Sequence, residues 1–310
     1  DRGDTPSYLI ASGATLEING PGAVDETDFS GSGTFKKTGT GTFTQISAGY
    51  DVSMNADGLL HIAEGTWEFG GQNPGSWSGN EADMQIDSGA FFFGRSTPIE
   101  IDALNGAGTF GTGGRVTVAA AGLTLGVADG SGDFSGIITN TTISGSFVID
   151  PSYDVTKEGT GTQILSGNND YTGTTTINGG ILQIGDGGST GTIGTGNVVN
   201  NANLVFNRTG TYSVDDITGN GTTEVDLGTL ELTGSSYTNN ITVSSGANLS
   251  GEVGTSGDLV FSGTTHTINV DSETSAALGS IGTGSTDITS VGVDGFIVNV
   301  TGSGPGAFDV

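Results

Sequence analysis

The feature of this sequence that most constrains its fold is a short pattern, Leu-x-hydrophobic, that recurs seven times. The leading leucines stand at positions 16, 60, 123, 182, 204, 230 and 259. The first three intervals approach multiples of about 20–22 residues, a period typical of solenoids whose turns stack. The pattern therefore predicts one short strand per turn, with the hydrophobic pairs facing inward in successive or nearly successive turns. The pairs are Leu16/Ile18, Leu60/Ile62, Leu123/Leu125, Leu182/Ile184, Leu204/Phe206, Leu230/Leu232 and Leu259/Phe261.

Composition favours the same architecture. Hydrophobic residues make up only 33% of the chain and glycine contributes 58 positions, which suits a thick two-layer core poorly. A solenoid turn needs few inward side chains, because it shares them with its neighbours. Val, Ile and Thr alternate with polar residues in short runs that end at Gly or Asn, as β-strands do. We expect one all-β domain over residues 1–310, with an irregular insertion near 66–101 and a C-terminal cap near 265–310. The one helical candidate covers residues 272–280.

An internal repeat supports this interpretation. Residues 58–65 align with residues 180–187, which places His61 at the position of Gln183. A Gly-Thr-Gly-Thr run lies upstream of each copy, at residues 39–42 and 159–162.

The segment 157–185 then resembles the autotransporter-associated β-strand repeat, which occurs in passenger domains of bacterial type V secreted proteins. Segments 31–65 and 103–136 match that repeat more loosely. The positions that agree with it are Gly161, Thr162, Leu165, Ser166, Gly167, Asn169, Tyr171, Thr172, Gly173, Thr175, Ile177, Gly180, Leu182, Ile184 and Gly185.

The resemblance implies a right-handed parallel β-helix that is exported from a bacterium and is extracellular or held at the cell surface. It also implies a non-enzymatic adhesin or display stalk, whose partners are host or cell-surface glycans or proteins, or other copies of the chain. Two alternatives stay open at this stage. One is a structural subunit that self-assembles into a surface filament or layer, and the other is a polysaccharide-active β-helix enzyme.

Charge narrows the choice of partners. The chain has 34 acidic against seven basic residues, a formal net charge of −27. Such a charge argues against binding to nucleic acid or to anionic membranes, which are themselves negative. No apolar run approaches the roughly 18 residues that span a bilayer, so we expect no membrane insertion of this segment.

The sequence assigns no catalytic or cofactor-binding residue. The two histidines, His61 and His266, lie in alternating strands at positions expected to face outward, and neither has an evident nucleophile for a triad. Trp67, Trp77 and the run Phe91-Phe92-Phe93 resemble a sugar-binding platform, but we expect them to pack beneath an inserted loop.

Calcium is the one cofactor that the sequence suggests. Beyond Arg208 the chain contains twelve acidic residues and no Lys or Arg. Stacked turns lie about 4.8 Å apart, so that like charges must be separated laterally or neutralised by cations. Oxygen-rich turns supply the ligands that Ca²⁺ prefers. The predicted site comprises Asp215, Asp216, Glu224 and Asp226.

Overall fold

The computed structural model describes residues 7–24, 27–45, 51–69, 76–94, 98–106, 114–118, 122–140, 152–251, 259–261, 266–271, 286–287 and 296–301, with side-chain environments as far as residue 250. In this part of the chain every regular element is a β-strand, and all strand pairs are parallel. No helix in the described ranges is long and apolar enough to cross a membrane. The helix predicted for residues 272–280 lies outside the described residues.

The chain folds as a parallel β-solenoid in which a full turn contributes strands to three faces. The first face is built from β1 (Ser7–Ile10), β4 (Asp28–Gly31), β7 (Val52–Met54), β12 (Ile99–Ile101), β15 (Leu123–Leu125), β18 (Val155–Lys157), β21 (Thr175–Ile177), β24 (Val198–Asn200) and β26 (Ile217–Thr218). These strands form two ladders, one from β1 to β7 and one from β12 to β26, and an isolated bridge between Asp51 and Ser76 follows the first.

The second face carries the longest series of stacked strands. It is built from β2 (Thr15–Asn19), β5 (Thr34–Thr38), β8 (Leu59–Ile62), β10 (Asp83–Ile86), β13 (Leu104–Asn105), β16 (Gly132–Phe134), β19 (Thr162–Leu165), β22 (Ile181–Ile184), the first part of β25 (Asn203–Val214), the first part of β27 (Thr222–Leu232), β28 (Asn240–Val243), β30 (Leu259–Phe261) and β32 (Thr286–Asp287). A bridge between Gly106 and Phe134 connects its two ladders.

The third face completes the cross-section. It is built from β3 (Gly22–Val24), β6 (Thr42–Gln45), β9 (Thr66–Phe69), β11 (Phe91–Gly94), β14 (Arg115–Val118), β17 (Ile137–Ile138), β20 (Asn168–Asn169), β23 (Thr192–Ile193), the second parts of β25 and β27, β29 (Asn248–Gly251), β31 (His266–Asp271) and β33 (Phe296–Thr301). Both β25 and β27 are long because they bend from the second face onto the third, and their pairing is irregular around Asn207.

The prediction of one strand per turn is therefore wrong, and the seven Leu-x-hydrophobic pairs do not lie on one face. Five pairs occupy the second face, whereas the pair at Leu123 lies on the first and the pair at Leu230 on the third. The inward direction is confirmed for the five pairs that begin at Leu60, Leu123, Leu182, Leu204 and Leu230, all of which are buried. Leu16 and Ile18 are only half-buried, because their strand ends its ladder, and the side chains at 259 and 261 lie outside the described residues.

Turn length varies more than the sequence period suggests. Leu204 pairs with Thr223 and Leu123 pairs with Val155, so that the second of these turns is more than half as long again as the first. The strands that pair at Leu123 and at Leu204 stay in register despite this difference in length. This variation explains why the intervals between the leucines are not simple multiples of one period.

Aromatic side chains fill the coil in the first turns. Trp67 and Trp77 are fully buried with ring centroids 5.7 Å apart, and Phe92 packs edge-on against both. Interior packing is confirmed for these three rings, whereas Phe91 and Phe93 alternate to the outer side of β11 and are only half-buried. Packing beneath an inserted loop stays a prediction. Strands β9 to β11 occur within residues 66–94, while residues 70–75 and 95–97 lie outside the described residues. The insertion near 66–101 and the cap near 265–310 stay predictions.

Candidate functional site

The described residues contain a groove where the ladder of the third face is interrupted. Strand β23 pairs with β20 on one side, and the second part of β25 pairs with β27 on the other. Between β23 and β25 no strand register forms. Instead the backbone N–H of Ile193 donates to the hydroxyl oxygen of Tyr212 at 3.1 Å. The gap leaves a half-open cavity of about 310 Å³ between the two strand edges.

The walls of this groove are mostly polar. Its exposed members include the hydroxyl of Thr195 and the carboxylate of Asp215, which makes no hydrogen bond with the described residues. The hydroxyls of Ser213 and Thr233 are engaged, with Glu231 and with the carbonyl of Val214 respectively. Gly194 and Gly196 also line the groove, and a Cβ at either would collide with a carbonyl oxygen of the preceding turn, so these glycines permit close stacking of the turns.

Arg208 braces the wall beside Tyr212. Its guanidinium donates to the carbonyl oxygens of Ser189, at 3.0 Å, and Gly191, and its central carbon lies 5.0 Å from the centre of the Tyr212 ring. Burial raises the pKa of Tyr212, although the N–H of Ile193 and the charge of Arg208 oppose that rise. The phenol therefore stays protonated near neutral pH. Because its oxygen already accepts from Ile193 and donates to no group among the described residues, its O–H remains available as a donor.

The four residues of the predicted calcium site lie in two separate pairs, Asp215 with Asp216 and Glu224 with Asp226. Asp216 accepts hydrogen bonds from the backbone N–H groups of Ser235 and Ser236, at 2.7 and 2.9 Å, so it holds a bend of the next turn. Asp215, its exposed neighbour, faces the groove instead. Across the residues that the structure describes, no group of three or more His, Cys, Asp or Glu side chains is placed to hold a metal ion.

Glu224 and Asp226 form the second pair. They lie two residues apart on the outer side of β27 and share a hydrogen bond. Partial burial, together with the charge of Asp226, raises the pKa of Glu224. Asp226 also accepts from the hydroxyl of Ser244 at 3.0 Å. Calcium binding at these four carboxylates stays a prediction.

His61 has a partner that the sequence did not reveal. Its Nε2 lies 2.9 Å from a carboxylate oxygen of Asp87, on the outer side of the second face. Burial favours a higher pKa for Asp87, but hydrogen bonds from Gln85 and His61 and the charge of Lys36 outweigh it and lower the pKa. The hydrogen bond of His61 leads to a carboxylate and to no hydroxyl nucleophile in the described ranges. The side chain of His266 lies outside the described residues.

Two buried lysines were missed by the sequence analysis. Lys37 and Lys157 occupy inward positions at or next to the end of their strands, and a Gly-Thr-Gly-Thr run follows each. The ammonium of Lys37 donates to the carbonyls of Thr38, at 2.7 Å, and of Glu64 in the next turn, at 3.2 Å. Burial lowers the pKa of both lysines, against the opposing effect of nearby acids. The shared sequence Lys-x-Gly-Thr-Gly-Thr was the signal that could have revealed them.

Comparison with known proteins identifies the repeat. Residues 155–184 match the family model of the passenger-associated transport repeat. A segment of 192 residues, 59% of this chain, is 32% identical to the adhesin BmaC autotransporter of Brucella suis biovar 1 (strain 1330). Residues 155–184 therefore carry the passenger-associated transport repeat. It spans about 5% of the length of that relative. No solved structure matches the chain.

The passenger repeat corresponds to one complete turn and the start of the next, from β18 to the end of β22. Its hydrophobic positions, such as Leu165 and Leu182, are buried in the coil. Two of its glycines lie where turns touch, because a Cβ at Gly161 or Gly167 would collide with a carbonyl oxygen of the preceding turn. The repeat therefore encodes close stacking of turns, whereas the groove lies mostly beyond it and shares only Asn169 with it.

Proposed function

We propose that this chain is part of an exported passenger that acts at the bacterial cell surface as a non-enzymatic adhesin or display stalk. The observation that carries the proposal is the passenger repeat at residues 155–184, together with the similarity to an adhesin autotransporter. A coil of stacked turns supports it, because such a fold offers long outer faces rather than one deep pocket. Neither comparison supports the alternative of a polysaccharide-active enzyme.

Adhesion is tested with the purified chain coupled to beads. We expect these beads to be retained on layers of animal cells more strongly than beads coated with serum albumin, and to lose retention when the chain is unfolded by heat before coupling. Removal of surface glycans with glycosidases then separates glycan from protein partners. Equal retention of chain-coated and albumin-coated beads would refute the adhesin role.

Self-assembly is a second candidate, and its contact surface could include apolar groups that are accessible in the first described turn. Leu9 is 77% exposed and Tyr8 is 47% exposed, and Leu16 and Ile18 are only half-buried. Strands β1, β2 and β3 each end a ladder there, and no other described strand pairs with their outer edges. Light scattering against concentration tests this candidate. A mass that stays that of one chain would exclude it.

Two finer features remain part of the proposal. We propose a right-handed coil, since crossovers between parallel strands are right-handed in about 98% of cases. We also propose that Ca²⁺ stabilises the acidic turns beyond Arg208, with backbone carbonyls completing the shell around Asp215 and Asp216 or around Glu224 and Asp226. Thermal melts in millimolar Ca²⁺ and in EDTA at matched ionic strength test calcium, and identical curves would reject it.

A further inference from the structure

The groove between β23 and the second part of β25 has dimensions that suit a small ligand. Its volume of about 310 Å³ lies at the lower end of the roughly 300–1,000 Å³ that is usual for small-molecule sites. A folded protein partner would need a far larger contact area than such a groove supplies. One ring-sized ligand therefore fits the space better than a macromolecular surface does.

The chemistry of the walls suits a polyol. The carboxylate of Asp215 is an exposed acceptor, the phenol of Tyr212 has a proton left to donate, and the hydroxyl of Thr195 can do either. A sugar presents neighbouring hydroxyls that donate and accept in the same way. The net charge of −27 disfavours acidic sugars, so that neutral or amino sugars are the matching class.

An extended peptide fits this groove less well. Strand addition needs a regular edge with free N–H and C=O groups, but β23 is only two residues long. The N–H of Ile193 is already bonded to Tyr212, which bridges the gap where a strand would enter. Gly194 has a φ of +88°, in the left-handed region, so the edge turns away from an extended path directly after Ile193.

We propose that this groove binds one neutral or amino sugar residue of a glycan, with Asp215 and Tyr212 as its polar contacts. The inference rests on the proposed function, because it supplies the glycan-recognition site of the adhesin. It also goes further, since it locates recognition in a break of the ladder on the third face rather than along the flat sheets.

The experiment uses saturation-transfer NMR on the whole chain with the methyl glycosides of glucose, galactose and N-acetylglucosamine, with methyl glucuronide as an acidic probe. We expect millimolar binding of at least one neutral glycoside and weaker or no binding of the glucuronide. An extended Ser/Thr peptide is run in parallel. Binding of that peptide in place of the glycosides, or no signal from any glycoside, would overturn the inference.

Paired variants locate the binding. Asp215→Asn removes the charged acceptor and should weaken binding by about tenfold, as the loss of a charge-assisted hydrogen bond does. Thr195→Trp should fill the groove and abolish binding. The matched controls are Asp57→Asn and Thr40→Trp, which alter exposed residues on distant turns and should leave binding unchanged. Circular dichroism checks that all four variants keep the fold of the parent.

The two proposals can fail separately. If Thr195→Trp binds glycosides as the parent does, the groove is not the site, even if chain-coated beads still adhere. If chain-coated beads adhere and every glycoside is silent, adhesion stands and the groove inference falls. If the beads do not adhere but the glycosides bind and lose binding in Thr195→Trp, the groove stands and the adhesin role falls.

Discussion

The early and later turns of this solenoid fill the same cross-section by different means. In the early turns, aromatic rings pack on one another, as Phe35 does against Phe29 and Trp67 with centroids 4.7 Å apart in both pairs. In the later turns, buried amides cross-link the coil, as when Asn200 donates to the side chain of Asn239 at 2.7 Å. A short hydrophobic repeat is thus compatible with two interiors, one packed with aromatic rings and one in which hydrogen bonds between buried amides supplement mainly aliphatic packing.

The outer charges differ between the same regions. Asp87, in an early turn, faces His61 and Lys36, and its pKa is lowered despite burial. Glu224, in a later turn, has Asp226 as its charged neighbour, and partial burial and that charge raise its pKa. Both carboxylates lie in or directly after strands of the second face, so their opposite pKa shifts reflect their neighbours: hydrogen bonds from Gln85 and His61 with the charge of Lys36 at Asp87, and the charge of Asp226 at Glu224.

The largest expected effect comes from the aromatic interior. Trp67→Ala removes a buried ring that lies against Phe35, Trp77 and Phe92, and it should cost about 3–5 kcal/mol of local stability. Hydrogen exchange is the suitable measurement, because solenoid turns open locally and global unfolding need not be two-state. Tyr8→Ala, at a half-exposed ring, serves as control and should cost well under about 1 kcal/mol. Similar protection in both variants would contradict the importance of the stacked rings.

The amide network should show the next largest effect. Asn200→Ala removes a buried donor to Asn239 and to the carbonyl of Thr222, and should cost about 1–3 kcal/mol in the surrounding turns. Asn201→Ala is the matched control, because the side-chain amide of Asn201, the next residue along the chain, donates an exposed hydrogen bond to Asn178 at 3.3 Å. Hydrogen exchange measured at increasing urea concentrations compares the loss of stability in the two variants. Equal losses would mean that the network adds nothing beyond ordinary surface contacts.

Replacing a buried lysine should cost less stability than breaking the amide network. Lys157→Met keeps the apolar stem but leaves the carbonyls of Glu158, Gly159 and Gly179 without the ammonium donor. Because these carbonyls lie at a corner that water can partly reach, we expect a loss of about 1–2 kcal/mol. Lys36→Met, at an outward position, is the control for loss of charge alone. A stabilised Lys157→Met protein would show that desolvation of the ammonium outweighs its hydrogen bonds.

The smallest effect concerns the paired carboxylates. With a raised pKa, folded Glu224 keeps its proton at a higher pH than the unfolded chain does. Its contribution to stability is therefore most favourable below the ordinary glutamate pKa and is lost as pH rises through the raised value. Glu224→Gln should remove this dependence and stabilise the protein at neutral pH by a few tenths of a kcal/mol, a small gain because the group is largely solvated.

Asp87→Asn should change the dependence of stability on pH in the opposite direction. Its lowered pKa gives stability that is present above the ordinary aspartate pKa and is lost as pH falls through the lowered value. Thermal melts of the parent and both variants between pH 3 and pH 8 give the slope of stability against pH for each protein. This range brackets the ordinary carboxyl pKa of about 4. Slopes of the same sign would show that the hydrogen bonds and charges around these two carboxylates do not distinguish the two regions.

The inward pairs could be predicted from the sequence because a strand alternates its faces with a strict period of two. Leu60 and Leu182 are buried as that alternation requires. The same reasoning placed charged residues outside by default, and so it missed Lys37 and Lys157, whose ammonium groups find carbonyl acceptors in neighbouring turns only after those turns have stacked. It also assigned His61 no partner, because Asp87 lies 26 residues away in the chain.

The stacking of parallel strands follows from the sequence, since short alternating runs that end at glycine can bury their hydrophobic side only against copies above and below. The face that each run occupies follows from the folded coil, because turns that differ in length by more than ten residues still bring their strands into pairing and leave no simple period in the pattern. It also decided the groove. Ile193, Tyr212 and Thr233 meet only because successive turns bring residues from separate segments to one corner, where a missed pairing leaves space between two strand edges.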